Sequence, residues 1–175
     1  VTSLVVGLYM IEGGLTFLGF GHLDHRAAIA AELGVEYDKR TKMEVIDDLI
    51  AEGVDAVPAV TASHLLTVSE KFSPLGGVSH KATVGNNELG HFIIYPSDRY
   101  GFNNPDAEWD VAKVDWILTG DSYTEGTTVH PDKNIAGHLR AITHQSVINL
   151  GRSGNGLLME LAALEEYAKV VKPKR

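Results

Sequence analysis

The chain has 175 residues, of which 44% are hydrophobic, so it can form one ordinary domain with a real core and an additional segment. Fifteen Lys and Arg residues against 23 Asp and Glu residues give a formal net charge of -8. This balance argues against a nucleic-acid partner, because phosphate binding needs a basic surface. The sequence contains no cysteine, which excludes disulfides, thiol nucleophiles and cysteine-ligated zinc.

The amino-terminal segment is almost uncharged over residues 4–23, which is long enough for a helix of roughly 20 residues to cross a bilayer. Residues 1–23 are therefore predicted to be a candidate membrane anchor, with the domain that follows outside the cytoplasm. Glu12 and several glycines weaken this interpretation, so a buried segment and a cytoplasmic location stay open. Because the chain starts at Val1 without a methionine, we expect it to be part of a longer protein.

Residues 24–110 are predicted to form an extension that combines helices with irregular segments. An alanine-rich helix is expected over residues 24–32. Thr41 and Glu44 have the spacing of a capping box, which predicts a second helix that ends near Gly53. The rest of the extension is predicted as extended chain, a short strand and a turn-rich loop, at residues 54–80, 91–95 and 96–105.

Residues 111–175 have a strand–helix–strand–helix pattern. The elements are expected at residues 114–118, 131–142, 146–150 and 156–171. Strands that are joined through helices pair in parallel, with right-handed crossovers, which predicts the first part of a three-layer α/β/α domain with a flavodoxin-like parallel sheet. Further strands are expected beyond residue 175, because two parallel strands do not make a stable sheet. The last helix should carry one apolar stripe formed by Leu157, Leu161, Leu164, Tyr167 and Val171.

Both predicted strands of this region end in small, polar turns. The first strand stops at Gly120, Asp121 and Ser122, and the second is followed by the turn at residues 149–154. A serine in a strand-to-helix turn has an accessible hydroxyl and nearby backbone N–H groups, which suits a nucleophile. The alternatives are that Ser122 only caps the following helix and that the second turn only reverses the chain.

Residues 120–126 resemble the first signature block of the SGNH (GDSL-type) hydrolases, and residues 149–154 resemble the second. Residues 97–105 are similar to the lead-in of membrane-associated, carbohydrate-linked members. The resemblance implies that Ser122 is the nucleophile and that the Gly154 N–H belongs to the oxyanion hole.

Gly120 and Asp121 support the nucleophile's turn in this resemblance. It also implies a serine esterase or acyl hydrolase that forms an acyl-enzyme and needs no cofactor. The substrate would be a small-molecule or polysaccharide ester, with O-acetyl groups on carbohydrate as a candidate.

Two blocks of this family do not follow Gly154 in the chain. They are the Gly-x-Asn-Asp block of the oxyanion hole and the Asp-x-x-His block that supplies the base. We therefore expect the base beyond Arg175 and an inactive fragment. His130 is expected to lie on the surface, and His22 and His25 are too few ligands to predict a metal site.

Three other functions stay open at this level. They are an O-acyltransferase of the same fold, a non-catalytic module for glycan binding or assembly, and a flavodoxin-like nucleotide binder that uses residues 151–156. The acidic charge and the lack of a Walker-type lysine argue against the nucleotide binder. The sequence leaves the acyl group, the acceptor and the oligomeric state open.

Overall fold

The computed structural model describes three stretches of the chain, residues 2–17, 22–63 and 74–172. The chain divides into two compact units: Val1–Lys39 with Leu89–His91, and Arg40–Glu88 with Phe92–Arg175. The structure is mixed α/β, with one small mixed sheet, one parallel pair of strands, and helices. The predicted boundary at residue 110 stays a prediction.

The first unit contains two helices, α1 (Thr2–Phe17) and α2 (His22–Leu33). Helix α2 covers the helix that is predicted at residues 24–32. In α1, large apolar side chains such as Tyr9 and Met10 are exposed. Within the described stretches, no helix combines the length and the apolar character needed to cross a membrane. Residues 1 and 18–21 of the predicted anchor lie outside the described residues, and the anchor stays a prediction.

The second unit begins with helix α3 (Lys42–Ala51). The Thr41 hydroxyl accepts a hydrogen bond from the Glu44 N–H at 3.2 Å, and the Glu44 carboxylate accepts one from the Thr41 N–H at 2.6 Å. The predicted capping box is therefore confirmed. Val45 and Ile46 on this helix are buried in a small core beside the first sheet.

The first sheet contains three short strands in the order β1 (Ala56–Pro58), β2 (Ala82–Val84) and β3 (Ile94–Pro96). β1 pairs with β2 in parallel, and β2 pairs with β3 antiparallel. β3 lies close to the strand predicted at residues 91–95. The sequence pattern did not predict β1 or β2, because three-residue strands carry too few residues for an alternating pattern.

The second sheet contains β4 (Trp116–Leu118) and β5 (Val147–Asn149), which pair in parallel with Leu118 opposite Asn149. Three helices follow or connect these strands: α4 (Ser122–Glu125), α5 (Ile135–Thr143) and α6 (Leu157–Val171). Single turns of 3₁₀ helix precede β4 and α5, at Asp106–Asp110 and Pro131–Lys133. The predicted order of strands and helices and their parallel pairing are confirmed.

Strand β4 is less buried than strand β5. β5 is fully buried, whereas the three residues of β4 are half-buried. The first residue of β5 is also held by side chains: the Glu108 carboxylate accepts a hydrogen bond from the Val147 N–H, and the Arg140 guanidinium donates to the Val147 carbonyl. Within the described residues, β4 pairs with β5 alone.

The predicted apolar stripe of α6 is buried only in part. Ala163 and Val171 are buried with Phe102, Trp109 and Ile148, and the half-buried Tyr167 packs against this cluster. The three leucines of the predicted stripe, Leu157, Leu161 and Leu164, are exposed. The buried face of α6 is therefore rotated away from the leucines and follows the aromatic residues of the loop that precedes β4.

Candidate active site at two strand ends

The two glycine-containing turns lie at the same edge of the parallel pair of strands. Beyond the strands, the Leu150 N–H donates to the Leu118 carbonyl at 2.8 Å, and the Arg152 N–H donates to the Gly120 carbonyl at 3.1 Å. Ser122 and Gly154 each follow this last bond by two residues. The carboxyl ends of neighbouring parallel strands are where α/β sheets form their sites.

Ser122 is the first residue of helix α4 and does not cap it. The cap is Asp121, whose carboxylate accepts a hydrogen bond from the Tyr123 N–H at 3.0 Å. The Ser122 side chain is half-buried, and its hydroxyl has no hydrogen-bond partner among the described residues. The alternative that Ser122 is present for capping therefore does not hold, because Asp121 performs that role.

Gly151 allows the second turn to pack directly against helix α4. A Cβ atom at Gly151 would lie 2.4 Å from the Glu125 nitrogen and 2.6 Å from the Thr124 Cβ. The Asn149 side chain joins the same two elements, because its amide donates to the Thr124 carbonyl at 2.6 Å and its oxygen accepts from the Gly151 N–H at 2.8 Å. The turn at residues 120–126 and the turn at residues 149–154 are thus in close contact.

The backbone conformation and the surroundings of Gly154 both require glycine. Its φ angle is +77°, and a Cβ atom there would lie 2.7 Å from the Ser63 hydroxyl. In the described part of the chain, neither the Gly154 N–H nor the Ser122 N–H donates a hydrogen bond. Both N–H groups are therefore unpaired, but Gly154 does not border the cavity that Ser122 lines.

Ser122 lines a cavity of about 400 Å³, a size typical of small-molecule sites. Much of its lining is polar, and it includes Asn86, Glu88, Lys133 and Asn134. Tyr123, which follows the serine, also borders the cavity, and 84% of its surface is exposed. None of the described histidines borders this cavity.

The surface position expected for His130 is confirmed. The exposed His130 precedes the short helix at Pro131–Lys133, and its Nδ1 accepts a weak hydrogen bond from the Asp132 N–H at 3.4 Å. His22 and His25 lie on α2, in the first unit. Over the described residues, no group of three or more His, Cys, Asp and Glu side chains is arranged to hold a metal ion.

A buried carboxylate that the sequence reasoning missed joins the two turns. Glu125, at the end of α4, is 6% exposed. One of its oxygens accepts hydrogen bonds from the N–H and the hydroxyl of Ser153, at 2.5 and 2.7 Å. The other accepts from the Tyr95 hydroxyl at 3.0 Å. A lone acidic residue in a four-residue helix carries no sequence signal for this role, because its partners are distant in the chain.

Arg152 is the buried cation beside Glu125. Its guanidinium donates to the Pro74 carbonyl at 2.7 Å and to the Val60 carbonyl at 3.2 Å. Burial lowers the pKa of Arg152, and the nearby carboxylate of Glu125 opposes that effect. Glu125 and Arg152 border a second, smaller cavity of about 170 Å³, which Ser122 does not line.

The lead-in loop at residues 97–105 supports the second strand. The Asn104 side chain donates to the Asn149 carbonyl at 2.9 Å and accepts from the Asn149 N–H at 2.8 Å, as a neighbouring strand would. Asp98, which is fully buried, fixes this loop from inside. The loop thus holds the end of β5 just before the second turn.

Comparison with known proteins adds no family to this description: no family model, no curated protein and no solved structure matches the chain.

Proposed function

We propose that this chain carries the nucleophile and part of the oxyanion hole of an SGNH-type serine hydrolase that acts on esters. The observation that carries the proposal is the unpaired Ser122 hydroxyl, which borders a cavity with both polar and apolar lining at the end of β4. The parallel pair β4–β5 with an intervening helix also supports the finer fold assignment, a three-layer domain with a flavodoxin-like sheet. A membrane anchor at residues 1–23 belongs to the same proposal.

In the proposed reaction, the Ser122 oxygen attacks the ester carbonyl carbon while a base accepts the hydroxyl proton. The carbonyl oxygen becomes an oxyanion, which the N–H groups of Ser122 and Gly154 stabilise. Collapse of this intermediate expels the alcohol, which takes the proton back from the base, and leaves an acyl-enzyme. Water then releases the acid by the same steps. In the transferase alternative, a sugar hydroxyl takes the place of water.

The cavity lining supports a hydroxyl-rich substrate, such as an O-acetylated carbohydrate. Amide, carboxylate and ammonium groups of Asn86, Glu88 and Lys133 offer both donors and acceptors to sugar hydroxyls. The exposed ring of Tyr123 provides a flat apolar surface with a polar end, which suits the mixed faces of a sugar ring.

The base of the proposed reaction has no candidate near Ser122 among the described histidines. We therefore propose that a histidine outside the described residues completes the site. Without a base, only the slow reaction that binding and oxyanion groups allow would remain. A chain that lacks this histidine is then expected to be inactive or nearly so.

A fluorophosphonate probe tests this function in the protein expressed from its complete open reading frame. Peptide mapping by mass spectrometry should find the probe on Ser122, and a Ser122→Ala variant should not be labelled. The matched control is Ser146→Ala, because the Ser146 hydroxyl is hydrogen-bonded to Asp115 at 2.9 Å and lies at the opposite end of β5. Absence of labelling at Ser122 in the complete, folded protein would contradict the proposal.

The absence of a described histidine at the cavity favours a second candidate, a non-catalytic module that binds glycans. A module of this kind would bind O-acetylated oligosaccharides, show no reaction with the probe, and bind equally well as Ser122→Ala. Calorimetric titration of wild type and Ser122→Ala with the oligosaccharide measures this binding, and together with probe labelling it separates the two functions.

A further inference from the structure

We propose that Glu125 is a positioning residue that fixes the Gly154 N–H relative to the Ser122 hydroxyl. This inference rests on the proposed function, because it assigns Glu125 a part in the same reaction. Glu125 lies outside the Ser122 cavity and is not expected to touch a substrate. Its role is to fix the position of the turn at residues 149–154 relative to the turn at residues 120–126.

The hydrogen bonds of Glu125 join the two turns over very short stretches of chain. Glu125 lies three residues after Ser122, within the four-residue helix α4. Its carboxylate accepts two hydrogen bonds from Ser153, which directly precedes Gly154. A change at Glu125 is therefore transmitted to both reacting positions through one helical turn and one peptide unit.

The surroundings of Glu125 suit an ionised carboxylate. Three donors approach its oxygens, and an ionised carboxylate is an acceptor only, so every contact is matched. Burial raises the pKa of Tyr95 well above its ordinary value, and the charge of Glu125 raises it further. The Tyr95 hydroxyl therefore remains a donor. The buried guanidinium of Arg152 supplies the opposite charge nearby.

Loss of the hydrogen bonds between Glu125 and Ser153 should affect the rate of the reaction more than the stability of the fold. The Gly154 N–H would move from where the oxyanion forms, and loss of one oxyanion donor costs about 10²–10³ in rate. A partial displacement should cost less, and we expect about a 10- to 100-fold loss for Glu125→Ala. Glu125→Gln should stay within about threefold, because its oxygen can face Ser153 while its amide donates to the Tyr95 oxygen.

The experiment measures the second-order rate of fluorophosphonate labelling at Ser122 in the complete protein, at a temperature at which every variant is folded by circular dichroism. The variants are Glu125→Ala, Glu125→Gln and Glu125→Asp, of which the last keeps the charge on a shorter side chain. The matched control is Glu108→Ala, because Glu108 also accepts a backbone hydrogen bond from β5, from Val147 at 2.9 Å, but at the amino end of the strand.

The expected pattern is slow labelling of Glu125→Ala, an intermediate rate for Glu125→Asp, and rates near wild type for Glu125→Gln and Glu108→Ala. If Glu125→Ala does not fold, the comparison of Glu125→Asp with Glu125→Gln decides, since only the shorter side chain releases Ser153. On an acetyl ester, kcat should fall in Glu125→Asp while KM stays unchanged.

Two failures are distinguishable. If the wild-type protein is not labelled at Ser122, the proposed function is wrong. If wild type is labelled and Glu125→Asp reacts at the same rate, or Glu125→Gln is as slow as Glu125→Asp, the positioning role alone is wrong. A loss in Glu108→Ala equal to that in the Glu125 variants would also overturn it, because the effect would then reflect the support of β5 in general.

Discussion

The turns at residues 97–105 and 120–126 both stand out in the sequence, and they use their polar side chains in opposite ways. In the first, Asp98 is fully buried and each of its oxygens accepts two hydrogen bonds. In the second, Ser122 is half-buried and its hydroxyl has no partner in the described stretches. In the first turn all acceptor positions of the carboxylate are used within the protein, and in the second turn the serine hydroxyl is unpaired.

This difference shows which of the two polar side chains has hydrogen-bonding capacity left for a ligand. A carboxylate whose four acceptor positions are all used inside the fold has no capacity left for a ligand. A hydroxyl without a partner beside a polar cavity retains both its donor and its acceptor capacity. The resemblance that points to both turns therefore covers two kinds of residue, and the hydrogen bonds distinguish them.

The largest expected effect is the loss of stability when Asp98 is replaced. In Asp98→Asn, the new amide must face either the N–H groups of Tyr100 and Phe102 or those of Asn104 and Trp109. Either orientation opposes donors to a donor in a buried site, at a cost of about 3 kcal/mol or more. Urea denaturation measures this loss. Asp132→Asn, an exposed control, should change stability by less than about 0.5 kcal/mol.

The next effect tests how tightly the turn at residues 149–154 packs on helix α4. In Gly151→Ala, the new methyl group would lie 2.4 Å from the Glu125 nitrogen, so the turns must separate, at a cost of about 1–3 kcal/mol. In Gly156→Ala, no atom lies within 4 Å of the new Cβ, so only the replacement of glycine at the N-cap of α6 should cost stability, by less than about 1 kcal/mol. Thermal unfolding of both variants measures the contrast. Equal melting temperatures would contradict the close packing of the two turns.

The sequence predicted those features that depend on residues close together in the chain. The capping box of Thr41 and Glu44 spans three residues, and both of its hydrogen bonds form. The Gly-Asp-Ser turn is equally local. By contrast, Glu125 meets Tyr95, which is 30 residues away, and Ser153, which is 28 residues away. Such contacts depend on tertiary packing, which a local pattern does not encode.

The burial of individual faces was predicted less well than the elements themselves. Periodicity selected an apolar stripe on α6, yet its three leucines are exposed, and the fold buries Ala163, which lies outside the stripe, together with Val171, which belongs to it. Aromatic rings decide this choice, since Tyr167 packs edge-to-face on Phe102 with centroids 5.1 Å apart. A periodic pattern indicates which residues share a face but not which face meets a partner.

A smaller effect concerns the acid sensitivity of the ion pair between Arg99, in the lead-in loop at residues 97–105, and Asp106, which follows this loop. Hydrogen bonds from the Arg99 side chain lower the pKa of Asp106 from 3.8 to about 2. The stability that this pair contributes is therefore present above pH 4 and lost as the pH falls through about 2. The Asp106→Asn variant should lose less stability than wild type between pH 4 and 2, as measured by urea midpoints. Identical slopes for the two proteins would show that the pair contributes nothing in solution.

The smallest expected effect on stability is that of Ser122→Ala. Because the hydroxyl makes no hydrogen bond with the described residues and Asp121 caps the helix, removing it should change the free energy of unfolding by less than about 0.5 kcal/mol. Urea denaturation measures this difference, and the cap variant Asp121→Ala, which should lose about 1 kcal/mol, is the control. A destabilisation of Ser122→Ala as large as that of Asp121→Ala would mean that the hydroxyl has a structural partner, and the contrast with Asp98 would then fail. If Ser122→Ala is as stable as wild type and also loses probe labelling, the Ser122 hydroxyl serves the proposed reaction and not the fold, unlike the Asp98 carboxylate.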